Sequence, residues 1–154
     1  MNPWLRLALI TMSVGGGFTG VAVILQSLLS PHSEPVVYHV LMIGFLTLYV
    51  FVTISGLVFV QNPKRTGPLI VALALQIPWI SSPIIAYKFV AGFQVSAAFI
   101  GSEFNGGFRL GSDFQINVFQ QLPWGVGINI FALAMLILLA RSVGTAYPSL
   151  HVPK

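Results

Sequence analysis

The run from Leu7 to Leu28 carries no charged residue. Twenty or so apolar residues in helical geometry cross about 30 Å of hydrocarbon, and no ordinary soluble core needs such a run. It is too long for a signal-peptide core, and no small-x-small cleavage site closes it, so it is read as a membrane span. Three further apolar stretches have comparable character. The spans are predicted at about residues 4–29, 36–60, 68–90 and 124–140, the last being the shortest. Composition agrees: the 154 residues are 56% hydrophobic and 6% charged, with mean hydropathy +0.89, whereas ordinary globular usage is about 25% charged. With no cysteine, neither disulfides nor thiolate chemistry are available.

Residues 93–119 break the pattern. Phe93, Val95, Ala97 and Phe99 alternate on one side of Asn105-Gly106, and Phe108, Leu110, Phe114, Ile116 and Val118 follow on the other. Period-two alternation around Asn-Gly predicts a β-hairpin. A two-residue loop at Asn105-Gly106 pairs Phe104 with Gly107, Ala97 with Phe114 and Phe93 with Val118, gathering the apolar side chains on one face. A one-residue slip would invert every side chain. The fold class expected is therefore an all-α membrane protein, a single four-transmembrane-helix bundle over residues 1–154. An extracytoplasmic β-hairpin is expected between helices three and four. A lone hairpin is marginal in water, so its Phe-rich face must rest on something. Phe99, Asn105, Gly106, Phe108, Arg109 and Phe114 are the residues expected to bind a partner.

The positive-inside rule orients the chain. With the N-terminus inside, Arg6, Lys64, Arg65, Arg141 and Lys154 fall inside, and Lys88, Arg109, Glu34, Glu103 and Asp113 fall outside. Both termini are then cytoplasmic and the hairpin is periplasmic or extracellular. In a bacterium this is the inner membrane.

The first span holds two small-xxx-small pairs, Gly16/Gly20 and Ser13/Gly17. Small residues let helix backbones approach closely, within the chain's own bundle or against another chain. The third span holds Pro78 and Pro83, and a proline there frees the carbonyl four residues earlier. Broken helices at membrane depth line cavities in many transporters. Gln76, Pro78, Trp79, Pro83 and Asn129 mark a candidate ligand cavity, with a kink satisfied by neighbouring groups as the plainer reading.

Catalytic constellations are missing from the sequence. No acid is expected at mid-depth, which argues against a proton-coupled transporter. His32, His39 and His151 do not converge on a metal site, and no cofactor or metal is expected. The scattered cations form no nucleic-acid stripe. Two readings result. The favoured one is a non-catalytic integral subunit or accessory protein that docks other membrane subunits, or its own copies, through the hairpin and the glycine-rich helix face. The alternative is a small oligomeric transporter or binder of a lipid or quinone at the proline-kinked third helix.

Overall fold

A computed structural model of the protein describes residues 1–29 and 35–144. His32, Glu34, His151 and Lys154, to which the sequence assigned sides or roles, lie outside the described residues. Two long antiparallel helical rods dominate one side of the molecule. The first comprises α1 (Pro3–Ile10), a π-helical turn (Thr11–Gly16) and α2 (Gly17–Leu29). The second is α3 (Val36–Gln61). Both rods are long and apolar enough to cross a membrane, at about 1.5 Å per residue.

The rest of the chain overturns the four-helix bundle. Helix α4 stops at Ala74 (Gly67–Ala74) and α5 spans Ile130–Gly144. Between them lie six antiparallel strands: β1 (Pro78–Ser81), β2 (Ile85–Val90), β3 (Phe93–Ile100), β4 (Glu103–Leu110), β5 (Asp113–Val118) and β6 (Gly125–Asn129). They form one sheet in the order β4-β3-β6-β1-β2-β5. The third span fails as a helix for a local reason. The ring of Pro78 clashes with a helical carbonyl at Ala74 and supplies no N–H, and α4 ends at that residue. Ile77, Ile80, Ile84 and Ile85 then favour extended backbone. The fourth span also begins later than expected, because Gly125 and Gly127 weaken a helix while Val126 and Ile128 alternate with them as a strand does.

The hairpin exists, but it is longer and turns elsewhere. Ile100 pairs with Glu103 and Phe93 with Leu110. Val90 pairs with Asp113 and Ile85 with Val118 in the same count. Residues 85–118 are thus one continuous hairpin with its turn at Gly101-Ser102, and the expected turn, Asn105-Gly106, lies inside β4. Gly101 has φ +63°, the positive φ that a type II′ turn needs at its first central residue. The loop keeps two residues, so Phe93, Val95, Ala97 and Phe99 still share a face with Phe104, Phe108 and Leu110.

Midway, both strands of this hairpin bend at one level. Gly92 (φ +87°) and Gly111 (φ +103°) face each other, and Gly111 N donates to Gly92 O at 2.7 Å. The bend folds the hairpin into a V, and the β1–β6 ribbon fills it, with β1 on β2 and β6 on β3. The bend rests on the helical rods. Tyr49 Oη is 3.1 Å from both Val90 O and Asp113 O. Ser112 Oγ donates to Gly16 O and lies 2.9 Å from Thr19 Oγ1. A β-carbon on Gly16 would collide with the Ala91–Gly92 backbone, one on Gly17 with Thr53, and one on Gly20 with the Tyr49 ring. Ser13 packs against Gly56 and donates to Leu9 O at 2.6 Å. The small-residue face of the first rod is therefore filled by this chain's own α3 and hairpin.

Two cores divide the rods lengthwise. Ile24, Met42, Phe45, Tyr49, Val52 and Phe89 pack the half toward Leu29 and Val36, with Phe114 and Ile116 of β5 against them. Leu9, Phe59, Leu69, Leu73 and Leu139 pack the half toward Pro3 and Gln61. The sheet flanks one half of the rods, and α4 and α5 flank the other.

Close packing and backbone geometry make separate demands, and three substitutions isolate them. Gly16→Ala is expected to cost about 1–3 kcal/mol by overpacking. Gly111→Ala, with open space around it but φ +103°, is expected to cost about 1–3 kcal/mol by backbone strain. Gly15→Ala, also in open space, is expected to be neutral or stabilising. Thermal unfolding in one detergent ranks them, and equal midpoints for all three would refute the account of the bend.

Candidate interaction surface

The curl gives the sheet two unlike faces. One face of the long hairpin carries Ile85, Tyr87, Phe89, Phe93, Val95, Ala97 and Phe99 on one strand, with Phe104, Phe108, Leu110, Phe114 and Ile116 on the other. Pairing adds Val126 and Ile128 of β6 beside Phe99 and Ala97, and Ile80 of β1 beside Val126. The opposite face carries Trp79, Ser81, Lys88, Gln94, Ser96, Ala98, Asp113, Gln115 and Asn117. That second face is concave. A β-carbon on Gly127 would lie 2.5 Å from Ala98 Cβ, and one on Gly125 2.9 Å from Ile100 Cγ1. Strands that curl toward each other leave no room for side chains at those points, and glycine provides it. Gln94, Ser96 and Ala98 are accordingly buried. The sheet is thus polar inside and apolar outside.

Half of the convex apolar face is covered. Phe45 stacks on Tyr87, Phe89 and Phe114, with ring centroids 6.2, 6.0 and 5.1 Å away. Tyr49 adds a contact with Phe89 at 4.8 Å. Phe114, expected on a partner surface, is instead half-buried and packed against this core. The other half is bare. Phe99, Phe104, Phe108, Leu110 and Val126 are between 61% and 74% exposed. Phe99 meets Phe104 edge-on at 5.2 Å, and Phe108 lies 6.3 Å from Phe93. Ala97, Phe99, Val126, Gly127 and Ile128 line a shallow apolar depression of about 280 Å³ on this face.

Strand β4 is one of the two edges of the sheet, and all eight of its residues are exposed, whereas those of β5, the other edge, are half-buried. A two-residue turn closes on a hydrogen-bonded pair. The Gly111–Gly92 bond fits the same alternation, so the odd-numbered residues of β4 bond to β3. Phe104, Gly106 and Phe108 then direct their N–H and C=O groups away from the sheet. Asn105 and Gly106, expected to form a turn, instead form the middle of this edge.

The concave face holds the ionic cluster. Asp113 Oδ2 lies 2.5 Å from Lys88 Nζ and 2.8 Å from Arg109 Nη1. Lys88 also lies 5.0 Å from the centroid of the Trp79 ring, within cation–π range. Lys88 and Asp113 are mostly buried, while Arg109 is open to solvent. Because Asp113 O meets Tyr49, the cluster is level with the middle of α3. The fold-back of the chain thus brings an acid beside the middle of α3, which sequence distance from the ends of the apolar runs does not report. Among the described residues, no group of three or more His, Cys, Asp or Glu is arranged to hold a metal ion.

The residues marked as a ligand cavity separate. No helix exists at Pro78–Pro83 to be kinked. Pro78 and Trp79 begin β1, and Pro83 lies in the turn before β2. Gln76 and Asn129, both 3% exposed, serve the backbone. Gln76 donates to Ala72 O at 3.0 Å and accepts from Ala91 N at 2.8 Å. Asn129 Oδ1 accepts from Val95 N and, as a cap of α5, from Ala132 N.

Removing the carboxylate leaves two cations on one concave face. Asp113→Asn is expected to cost about 1–3 kcal/mol, below the full range for a deeply buried pair because Arg109 is solvated. The double variant Lys88→Met/Asp113→Leu should lose less than the sum of its single changes. Strict additivity in chemical or thermal unfolding would show that the cluster is not coupled. No protein-family profile, curated protein or solved structure matches the chain.

Proposed function

We propose that the protein is a non-catalytic, membrane-integral interaction module. It docks another membrane protein through the β4 edge and the bare convex face beside it. The observation that carries this reading is the pairing of an open strand edge with an exposed apolar face on one element. Edge strands left unpaired invite strand addition, and contiguous exposed apolar patches mark contact surfaces. The residues concerned are Phe99, Phe104, Asn105, Gly106, Phe108 and Leu110. The glycine face of the first rod plays no part in docking, because α3 and the hairpin occupy it.

The bilayer placement in this reading is supported by the length and apolar composition of the two rods. Pro3–Leu29 and Val36–Gln61 cross the membrane, and α4 and α5 reach only part of its depth. Arg6, Lys64, Arg65 and Arg141 gather toward the end where α1, α3, α4 and α5 meet, and that end is cytoplasmic by the positive-inside rule. The sheet lies toward the opposite side, in a bacterium the periplasmic side of the inner membrane. A cysteine-free chain makes this simple to test. In intact cells Gln120→Cys should react with a membrane-impermeant maleimide, and Asn62→Cys should react only after lysis. The reverse pattern would overturn the orientation.

Docking is tested at the edge without touching the core. Gly106→Pro removes an outward N–H and leaves the β3 ladder its donors. Phe108→Asp places a charge on the bare face. Each should deplete copurifying subunits in native mass spectrometry from mild detergent by on the order of tenfold or more, with the unfolding midpoint nearly unchanged. Retention of every subunit by both folded variants would refute the reading.

A further inference from the structure

We infer that the partner along β4 is the β5 edge of a second copy of this chain, so that copies pointing the same way across the bilayer join head to tail about an axis along its normal. The inference rests on the docking reading above and names the occupant of that edge. Depth sets the demand. Strands β2 and β5 run from the middle of α3, at Tyr49, toward its Val36 end, where Ile116, Asn117 and Val118 face Pro35, Val37 and Tyr38. The remaining strands are antiparallel partners over the same interval. The sheet therefore occupies one half of the thickness that the rods cross. Hydrocarbon offers no hydrogen bonds, so an open sheet edge beside lipid is not tolerated there. Both edges make this demand. In β5, Gly111 N meets Gly92 O and Phe119 N meets Ile84 O. That alternation turns the N–H and C=O groups of Phe114, Ile116 and Val118 away from β2. Helix α3 packs on the convex side of β5, through Phe45 on Phe114, and no described strand pairs with its outer edge.

The two edges complement each other. Every neighbouring pair in the order β4-β3-β6-β1-β2-β5 is antiparallel, so the first and last strands run in opposite directions. Strand β4 of one copy can therefore pair antiparallel with β5 of the next while both chains keep one orientation. Antiparallel pairing of β4 with β4, or of β5 with β5, would invert one chain. Parity agrees as well. In both edge strands the even-numbered residues turn their backbone groups outward and their side chains to the convex face. The joined strands thus share one ladder and one apolar face. Depth fixes the register. One row of the sheet runs from Asn105 through Ala98, Gly127, Trp79 and Lys88 to Gln115. Copies related by rotation about the bilayer normal lie at equal depth, so the row continues from copy to copy. Asn105 then faces Gln115 of the next copy, and Phe104 faces its Ile116. Beside Ile116 lies a groove of about 300 Å³, lined by Val37, Tyr38, Leu41 and Met42 of α3 and by Val118. Phe104, exposed on its own copy, lies at the mouth of that groove. A head-to-tail joint that closes into a ring leaves no edge over, whereas a joint between like edges leaves the other kind bare.

Directed cross-linking of the full chain in its own membrane tests the contact. Asn105 and Gln115 of adjacent copies form a non-bonded pair, with α-carbons about 4.5 Å apart, within disulfide range. Under mild oxidation, co-expressed and differently tagged Asn105→Cys and Gln115→Cys chains should give on the order of tenfold more mixed covalent dimer than either gives with itself, because like edges never meet in this assembly. A chain carrying both cysteines should form a ladder of covalent oligomers. Glu103→Cys with Asn117→Cys repeats the test one row away, for the case in which a cysteine in the first row unsettles the fold. Mixed dimer no more abundant than self-dimer, or an oxidised monomer in place of the ladder, in protein with an unchanged unfolding midpoint, overturns the inference. If Gly106→Pro and Phe108→Asp then still strip a different protein from the complex, the docking reading survives with another occupant. If they strip nothing, both fall.

Discussion

Everything in the sheet depends on how the bent hairpin seats on the two helical rods. One tyrosine and one run of glycines hold it there. Tyr49 is fully buried, and its hydroxyl reaches the carbonyls of Val90 and Asp113, a strand pair immediately before the bend. Opposite it, the π-helical turn at Thr11–Gly16 widens the first rod where Gly92 approaches. A regular helix turns its carbonyls along its own axis, whereas π-turns free backbone groups for other partners. Gly16 O uses that freedom to accept from Ser112. Were Gly16 any larger, the hairpin could not approach. Were Gly92 and Gly111 held to negative φ, the two strands could not bend together, and the sheet would project as a flat ribbon with both faces exposed.

The bend is also what turns the sheet inside out. A flat hairpin of this sequence has one apolar face and one polar face. Folding it about Gly92/Gly111 and filling the V with β1 and β6 rolls the polar face inward. Concave curvature then restricts side-chain size, and Gly125, Gly127, Ala98 and Ser96 meet that demand. Lys88 and Asp113 pair within the concavity, near the bend, and Arg109 reaches the same carboxylate from the solvent side. An apolar exterior around a polar interior is the arrangement of membrane-embedded β-structure. Here it stands beside apolar helices of matching character.

Much of this was legible in the sequence. The two rods follow from uncharged apolar runs of spanning length, with no competing break. The hairpin and its even loop follow from the alternation of Phe93 to Phe99 with Phe108 to Val118. The turn was misplaced because Asn105-Gly106 is the stronger local signal, while Gly101-Ser102 is set by the pairing of fourteen positions on each side, six in β2 and β5 and eight in β3 and β4. That count becomes visible only if Ile85, Tyr87 and Phe89 are read as alternation rather than as the end of a helix. High hydropathy masked them, since a wholly apolar run is silent about helix or strand. Pro78 and the Gly125-Val126-Gly127-Ile128 repeat were the usable signals that α4 and α5 are short. The ionic cluster was not legible, because Lys88 and Asp113 are twenty-five positions apart and meet only through the ladder. Phe114 and Phe108 look alike in sequence, and only the bend decides that one packs on Phe45 while the other is bare.

The same logic explains why Gln76 and Asn129 matter without forming a cavity. Each stands where a helix gives way to a strand at the level of the bend. Such a junction leaves the last carbonyls of α4 and the first amides of α5 without intrahelical partners. Water would normally satisfy them, but both side chains are buried. Gln76 answers on one side by holding Ala72 O and Ala91 N together, so the end of α4 is bonded to the residue that begins the bend. Asn129 answers on the other side by capping α5 and holding Val95 N through its side-chain oxygen, while its backbone N–H donates to Ile77 O at 2.8 Å. Two amide side chains thus tie both helix–strand junctions to the hairpin on either side of Gly92. The Gln76 amide and the Asn129 side-chain oxygen, which a sequence reading assigns to a ligand path, are taken up by the backbone where the chain changes between helix and sheet.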